Sequence, residues 1–262
     1  MIGTIHMRML NGVATLVVDN PPLNLLSMAI RLRLAELAEQ IKGDPECRVV
    51  VITGAGSRAF SAGSDVREFP DDAAAGAERA RFEHRCFAAI ESLPQPTIAA
   101  LHGHVLGGGL ELALTCDIRI AEETADIGLP EITLGLLPCG GGTQRLPRLI
   151  GKGRAMALLL LGDRITAAQA GKYGLAEYVV PEGMAVSAAQ KMAERIAAAP
   201  SEATKGIKLA VARGLTDGIE AGLALEEKLV GPLFTNSTAR AAVRRFRDRA
   251  LRKTKDHADA ES

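Results

Sequence analysis

Aromatic residues are scarce in this chain: no tryptophan, two tyrosines and six phenylalanines stand among 262 residues. An excess of one charge is lacking too, since 31 Lys and Arg offset 31 Asp and Glu for a formal net charge of +0. No overall field therefore favours nucleic acid or an anionic membrane, and any basic patch is local. Cysteine is limited to Cys47, Cys86, Cys116 and Cys139, far apart and without a C-x-x-C pair. That spacing suits reduced thiols in a cytoplasm and indicates neither zinc nor disulfides. No stretch approaches the roughly 18 apolar residues of a membrane span, and Met1-Ile2-Gly3-Thr4 is not a basic region leading into an apolar run. The expectation is a soluble, cytoplasmic protein with no membrane partner. The motif G-x-S-x-G is also missing, which leaves Ser61 and Ser64 without the strained turn of a nucleophilic serine despite His84, His102 and His104.

What is present is an apolar share of 47%, enough to bury a full core in one large domain or one domain plus a small extension. Residues 4–9 and 13–19 read as strands of a hairpin turned at Asn11-Gly12. Ser27 is placed to cap a helix reaching about residue 42, because Ile30, Leu34, Leu37, Ala38 and Ile41 recur at helical spacing. A buried strand over 48–53 follows, then a glycine turn, a loop, and a helix from about 77 to 93 with Phe82, Cys86, Ile90 and Leu93 on one face. Another strand at 97–101, a short helix at about 108–115 and a strand at 117–121 repeat the rhythm. Repetition of strand, glycine turn and helix predicts stacked β-β-α turns whose sheets face one core. From about residue 182 the pattern is almost wholly helical, broken at Pro200, Gly214, Gly231-Pro232 and Asn236. Residues 1–200 are thus assigned to an α/β core and 201–262 to a helical C-terminal subdomain.

Three stretches carry the chemistry: Phe60-Ser61-Ala62-Gly63-Ser64-Asp65, Gly107-Gly108-Gly109-Leu110-Glu111 and Gly128-Leu129-Pro130-Glu131. Gly108 lies between a strand and a helix, so its N–H falls at a helix start, where orphan donors favour negative charge. Gly63-Ser64 is read as following the strand at 48–53, and its N–H is the second candidate donor. Two such donors aimed at one oxygen make an oxyanion hole in outline. A tight turn without ligand is the plainer reading of either glycine run alone. Glu111 sits in the otherwise apolar stretch 110–116, where an idle charge is costly to bury. Glu131 follows a proline that fixes the approach of its loop. Two carboxylates beside an oxyanion hole suit a thioester whose carbonyl carries negative charge while a proton moves.

These motifs, with Cys116-Asp117-Ile118-Arg119-Ile120-Ala121 and Gly141-Gly142-Thr143-Gln144-Arg145-Leu146-Pro147, closely resemble the enoyl-CoA hydratase/isomerase, or crotonase, family. The resemblance extends from Asn20-Pro21-Pro22 to Gly162-Asp163-Arg164-Ile165 and Gly174-Leu175, nearly the whole chain. It implies a crotonase-like spiral of β-β-α turns and a helical C-terminal region that trimerises, often into a dimer of trimers. It also implies acyl-CoA substrates, no metal, and no cofactor beyond the coenzyme A of the substrate. Carried over by position, Ser64 and Gly108 are the oxyanion-hole donors, Glu111 and Glu131 the two carboxylates of true hydratases, and Ala62, Asp65 and Val66 contacts for substrate or CoA. Retention of both carboxylates points to hydration of a 2-enoyl-CoA, with Glu131 as principal acid/base and Glu111 as the partner that positions water. Close like charges keep the two pKa values apart and supply an acid and a base together.

The chain departs from the family in three places. Cys139 stands where relatives usually have glycine and reads as a small packed residue, or as a reactive thiol if exposed. Ser64 stands where alanine is common, and residues 240–255 lack the usual aromatic-containing terminus.

Three other readings compete with hydration. A 3-enoyl to 2-enoyl-CoA isomerase, or another acyl-CoA dehydratase, fits the same scaffold. The weak dinucleotide pattern in 54–59 is followed by loop rather than helix. Arg240, Arg244, Arg245, Arg247, Arg249, Arg252, Lys253 and Lys255 suggest contact with CoA phosphates or with RNA. Val243, Phe246, Ala250 and Leu251 lie at helical spacing and make a docked amphipathic helix the simpler reading. Without aromatic interleaving the tail offers no base-stacking platform, so nucleic acid ranks well below an acyl-CoA.

Overall fold

The computed structural model describes residues 3–260, with side chains described for residues 3–248. Chain contacts divide it into two units, one ending at Ala197 and one beginning at Ala198. The first unit runs β1 (Thr4–Leu10), β2 (Val13–Asp19), α1 (Met28–Gly43), β3 (Val49–Gly54), β4 (Ala59–Ser61), α2 (Ala73–Glu91), β5 (Thr97–Leu101) and β6 (His104–Leu106). It continues with α3 (Gly108–Leu114), β7 (Ile118–Glu122), β8 (Asp126–Gly128), α4 (Gly142–Ile150), α5 (Lys152–Leu161), β9 (Arg164–Thr166), α6 (Ala167–Tyr173), β10 (Tyr178–Val180) and α7 (Ala185–Ala197). Two 3-10 turns, Val66–Glu68 and Pro130–Leu134, lie between these elements.

Two sheets result, one ordered β1-β2-β3-β5-β7-β10 and one ordered β4-β6-β8-β9. Only β1 in the first and β9 in the second pair antiparallel to their neighbours. Successive strands alternate between the sheets before each helix: β3, β4, α2; then β5, β6, α3; then β7, β8, α4. This is the crotonase-like spiral of β-β-α turns. Every residue of β3 is buried, and the period of two explains how. Val50 and Ile52 face the core shared with α1, α2 and the second sheet, while Val49 and Val51 face the core under α7. There Ala185, Ala189, Ala193 and Ala197, each four residues on, present a flat small-residue face to the sheet.

Local signals explain the element ends. Asn11 and Gly12 both have positive φ, +52° and +78°, as a tight right-twisted hairpin requires. Ser27 Oγ accepts the Ile30 N–H at 3.3 Å and starts α1, a cap typically worth about 1 kcal/mol. Asp72 Oδ1 accepts from the N–H groups of Ala74 and Ala75 at 3.0 Å, so α2 begins before the expected residue 77 and ends at Glu91, short of Leu93.

The second unit consists of α8 (Ser201–Asp217), α9 (Ile219–Thr235) and α10 (Ser237–Ala260). The breaks expected at Gly214 and Gly231-Pro232 are absent: both lie inside helices, and the chain turns instead at Gly218, with φ +96°. Gly214 serves packing, since a Cβ on Gly222 would stand 2.9 Å from its Cα where α8 and α9 cross. Of the apolar face expected to dock the tail, Val243 and Phe246 are exposed within this chain. The side chains of Arg249, Ala250, Leu251, Arg252, Lys253 and Lys255 lie outside the described residues. No described helix is long and apolar enough to cross a membrane.

Candidate active site

The neighbouring parallel strands β4 and β6 deliver the two glycine turns side by side. Gly63 and Ser64 therefore follow β4, not the strand at 48–53. Gly63 and Gly107 adopt φ of +105° and +52°, which only glycine takes without strain. A Cβ on Gly108 would lie 3.6 Å from the Ser64 nitrogen, so the two candidate donors stand together at one spot. Gly108 is the first residue of α3, where N–H groups have no acceptor within the helix.

The carboxylates converge on the same spot. Glu131 is carried by the 3-10 turn that Pro130 opens, and its Oε1 would stand 3.0 Å from a Cβ on Gly107. Its Oε2 is buried without a hydrogen-bond partner. Burial, with the nearby charge of Glu83, raises its pKa to about 7. Glu111 comes from α3, all of whose residues are buried. Its Oε1 accepts the Gly142 N–H at 2.8 Å, while Gly140 and Gly142 lack the Cβ atoms that would strike the carboxylate at 2.6 and 3.1 Å. Burial, reinforced by Glu131 and Glu83 and opposed by the Gly142 N–H and Arg31, lifts its pKa to about 8. Both carboxyls are thus held up near neutral pH, where one of the pair can keep a proton while the other is ionised.

Behind this pair lies a charged cluster the sequence reading missed. Arg31 and Glu83 are fully buried, with Arg31 Nη2 3.4 Å from Glu83 Oε1, and Arg79 Nε approaches the same oxygen at 3.0 Å. Cys139 Sγ stands 3.5 Å from Glu83 Oε2. Burial and the surrounding carboxylates push its thiol up to about 12, which makes it a packed residue rather than a nucleophile. A signal was present. Arg31 lies three residues before Leu34, and Glu83 four before Phe87, on the apolar faces of α1 and α2. Charges of opposite sign at core positions of two neighbouring helices foretell a buried pair.

Residues 8–256 match the family model described as Enoyl-CoA hydratase/isomerase. The chain belongs to that family. It is 35% identical over 236 residues to the short-chain-enoyl-CoA hydratase of Clostridium acetobutylicum, covering 89% of this chain and 90% of that one. The crotonyl-CoA hydratase of Syntrophomonas wolfei is 34% identical over 236 residues, covering 89% and 91%. A crystal structure of enoyl-CoA hydratase from Bacillus anthracis is similar at a TM-score of 0.88, with 37% identity over 94% of this chain and 96% of that one.

In this member of the enoyl-CoA hydratase/isomerase family, Ser64 lies beside Gly108, Glu131 reaches the adjoining Gly107, and Glu111 is near enough to Glu131 for the two charges to interact. Val66 is exposed and Ala62 half-buried beside them. The Ala62 N–H is engaged by the Leu23 carbonyl at 2.9 Å. Asp65 accepts from Arg67 Nε at 2.8 Å and Nη2 at 2.6 Å, and these bonds hold its carboxyl below the ordinary range. Arg119 of the family-like Cys-Asp-Ile-Arg segment braces the end of α3, donating to the Cys116 and Leu175 carbonyls at 2.7 and 2.8 Å. His102, whose pKa burial lowers, and His104, paired with Asp126, flank the β5–β6 corner away from this chemistry.

Proposed function

We propose that this protein is an enoyl-CoA hydratase, a hydro-lyase that adds water across C2=C3 of a 2-enoyl-CoA to give the 3-hydroxyacyl-CoA. The observation that carries the reading is a pair of glutamates with raised pKa values, Glu111 buried and Glu131 half-buried with its Oε2 shielded, beside two adjacent backbone donors. The N–H groups of Ser64 and Gly108 receive the thioester oxygen, which polarises the conjugated C=C and makes C3 electrophilic. A donor of this kind typically lowers the barrier by about 2.7–4 kcal/mol. Ionised Glu131 takes a proton from water as the C3–O bond forms, while neutral Glu111 orients the same water. The proton held on Glu131 then passes to C2 of the enolate, so the pair returns to its starting charge. This sequence calls on no cofactor beyond the CoA of the substrate, whose contacts we assign to Ala62, Asp65 and Val66. Exposed Ile207, Leu215, Ile219, Phe234 and Phe246 in the C-terminal helices support self-association, read as a homotrimer or a dimer of trimers.

The test is a panel of 2-enoyl-CoA and 3-enoyl-CoA thioesters of graded chain length, followed by loss of conjugated absorbance and by product analysis. We expect 3-hydroxyacyl-CoA from at least one 2-enoyl-CoA. The kcat profile should be bell-shaped, falling below about pH 7 as Glu131 protonates and above about pH 8 as Glu111 ionises. Isomerisation of 3-enoyl-CoA with no hydroxyacyl product at any chain length would replace hydratase by isomerase.

A further inference from the structure

Arg31 is fully buried, yet it lies against both donors of the oxyanion hole. Its Nη1 donates to the Leu26 carbonyl, its Nη2 donates to Ser64 Oγ at 2.7 Å, and its guanidinium lies 5.8 Å from the Phe87 ring centroid. The same Nη2 would stand 2.9 Å from a Cβ on Gly108, so one nitrogen touches the hydroxyl of the first donor residue and the bare face of the second. Glu83, held in turn by Arg79, supplies the counter-charge. Stability alone is a poor reason for such a pair. Desolvating two ions is costly, and apolar side chains of similar volume often serve as well or better.

We propose that Arg31, clamped by Glu83, is a positioning residue for the oxyanion hole: through Ser64 Oγ it fixes the loop that presents the Ser64 N–H, and its charge backs the developing thioester enolate. This role rests on the hydratase reading of the same site. It gives the serine at position 64 a purpose beyond its backbone, since alanine there could not accept the guanidinium bond. The charged and titratable groups facing the glutamate pair are Arg31 from α1, Glu83 from α2 with Arg79 behind it, Cys139 from the loop before α4, and Arg145 of α4, which pairs with Glu91. Among them Arg31 opposes the rise of the Glu111 pKa, whereas Glu83 raises both glutamates. Removing either charge should therefore move the pH profile in opposite directions.

The experiment compares Arg31→Met, Arg31→Lys, Glu83→Gln, Ser64→Ala and the Arg31→Met/Ser64→Ala double variant with wild type. Steady-state kinetics on a turned-over enoyl-CoA are run across pH, with circular dichroism as the fold control. Arg31→Met is expected to lower kcat by about 10–100-fold with KM changed by less than about threefold, short of the full loss of a donor. Its alkaline limb should shift upward. Arg31→Lys should keep the wild-type limbs and recover part of kcat, which also carries the test if Arg31→Met does not fold. Glu83→Gln should shift both limbs downward. The Arg31 and Ser64 effects should be strongly non-additive, because one contact is lost in either variant. A natively folded Arg31→Met with wild-type kcat overturns the proposal, as does a kcat loss with unshifted limbs that adds fully to Ser64→Ala. Should wild type hydrate nothing, the hydratase reading fails separately; deuterium uptake at the acidic carbon, which needs only the enolate, then reads the same variants for the same dependence on Arg31.

Discussion

Glu131→Gln is expected to lower kcat for hydration by about 10²–10⁴-fold, the range for a lost general acid–base group, with binding of the CoA thioester nearly unchanged. The glutamine keeps the shape of the side chain and its place beside Gly107 but neither takes nor returns a proton. A second readout separates this chemistry from a folding defect. The folded pKa of Glu131 is raised from 4.5 to about 7, so the native protein binds the more tightly held proton. The contribution of Glu131 to wild-type stability is therefore full below about pH 4.5 and is lost as pH rises through about 7, and the glutamine variant is spared that loss. It should gain up to about 3 kcal/mol over wild type at pH 8 and little at pH 4, seen in denaturant titrations at the two pH values. Wild-type turnover in Glu131→Gln would remove this residue from the mechanism.

Glu111→Ala should suppress water addition about as severely while sparing part of the proton exchange at the acidic carbon of the substrate. Enolate formation needs the oxyanion hole and one carboxylate, both retained, whereas hydration also needs a water held in line with C3. The separation is measured as deuterium uptake from heavy water alongside formation of 3-hydroxyacyl-CoA. Equal loss of both would show that Glu111 itself moves the proton and would exchange the roles of the two glutamates. The alanine also strips the acceptor from the Gly142 N–H, which Glu111 Oε1 meets at 2.8 Å. Glu111→Gln, which keeps that acceptor, therefore accompanies it to distinguish a displaced glycine loop from a missing anchor.

The candidate donors and carboxylates could be picked out because each sits in a short motif whose local physics is self-contained. A glycine run between a strand and a helix exposes N–H groups whatever the rest of the molecule does. A glutamate within the apolar stretch 110–116 has to be buried, and it is. Most strands were equally readable, since their apolar runs and bounding turns lie within a few residues of one another; the hairpin at Asn11-Gly12 appears in place.

Features that depend on distant partners were not readable in the same way. Gly214 and Pro232 look like helix breakers locally, yet α8 and α9 run through them, with Gly214 recruited to a close helix crossing. The sequence by itself determined the α/β class and the order of β-β-α turns, and it marked Ser64, Gly108, Glu111 and Glu131 as candidates, because these follow from neighbours along the chain and from the family resemblance they carry. Only the tertiary structure decided that β4 rather than β3 presents Ser64, that Cys139 is a raised thiol against Glu83, and that Arg31 touches Ser64 across 33 positions of chain. The physical reason is range: hydrogen-bond and ionisation preferences of a buried group are set by whichever atoms packing brings within a few ångströms, and no periodicity in the sequence encodes that meeting.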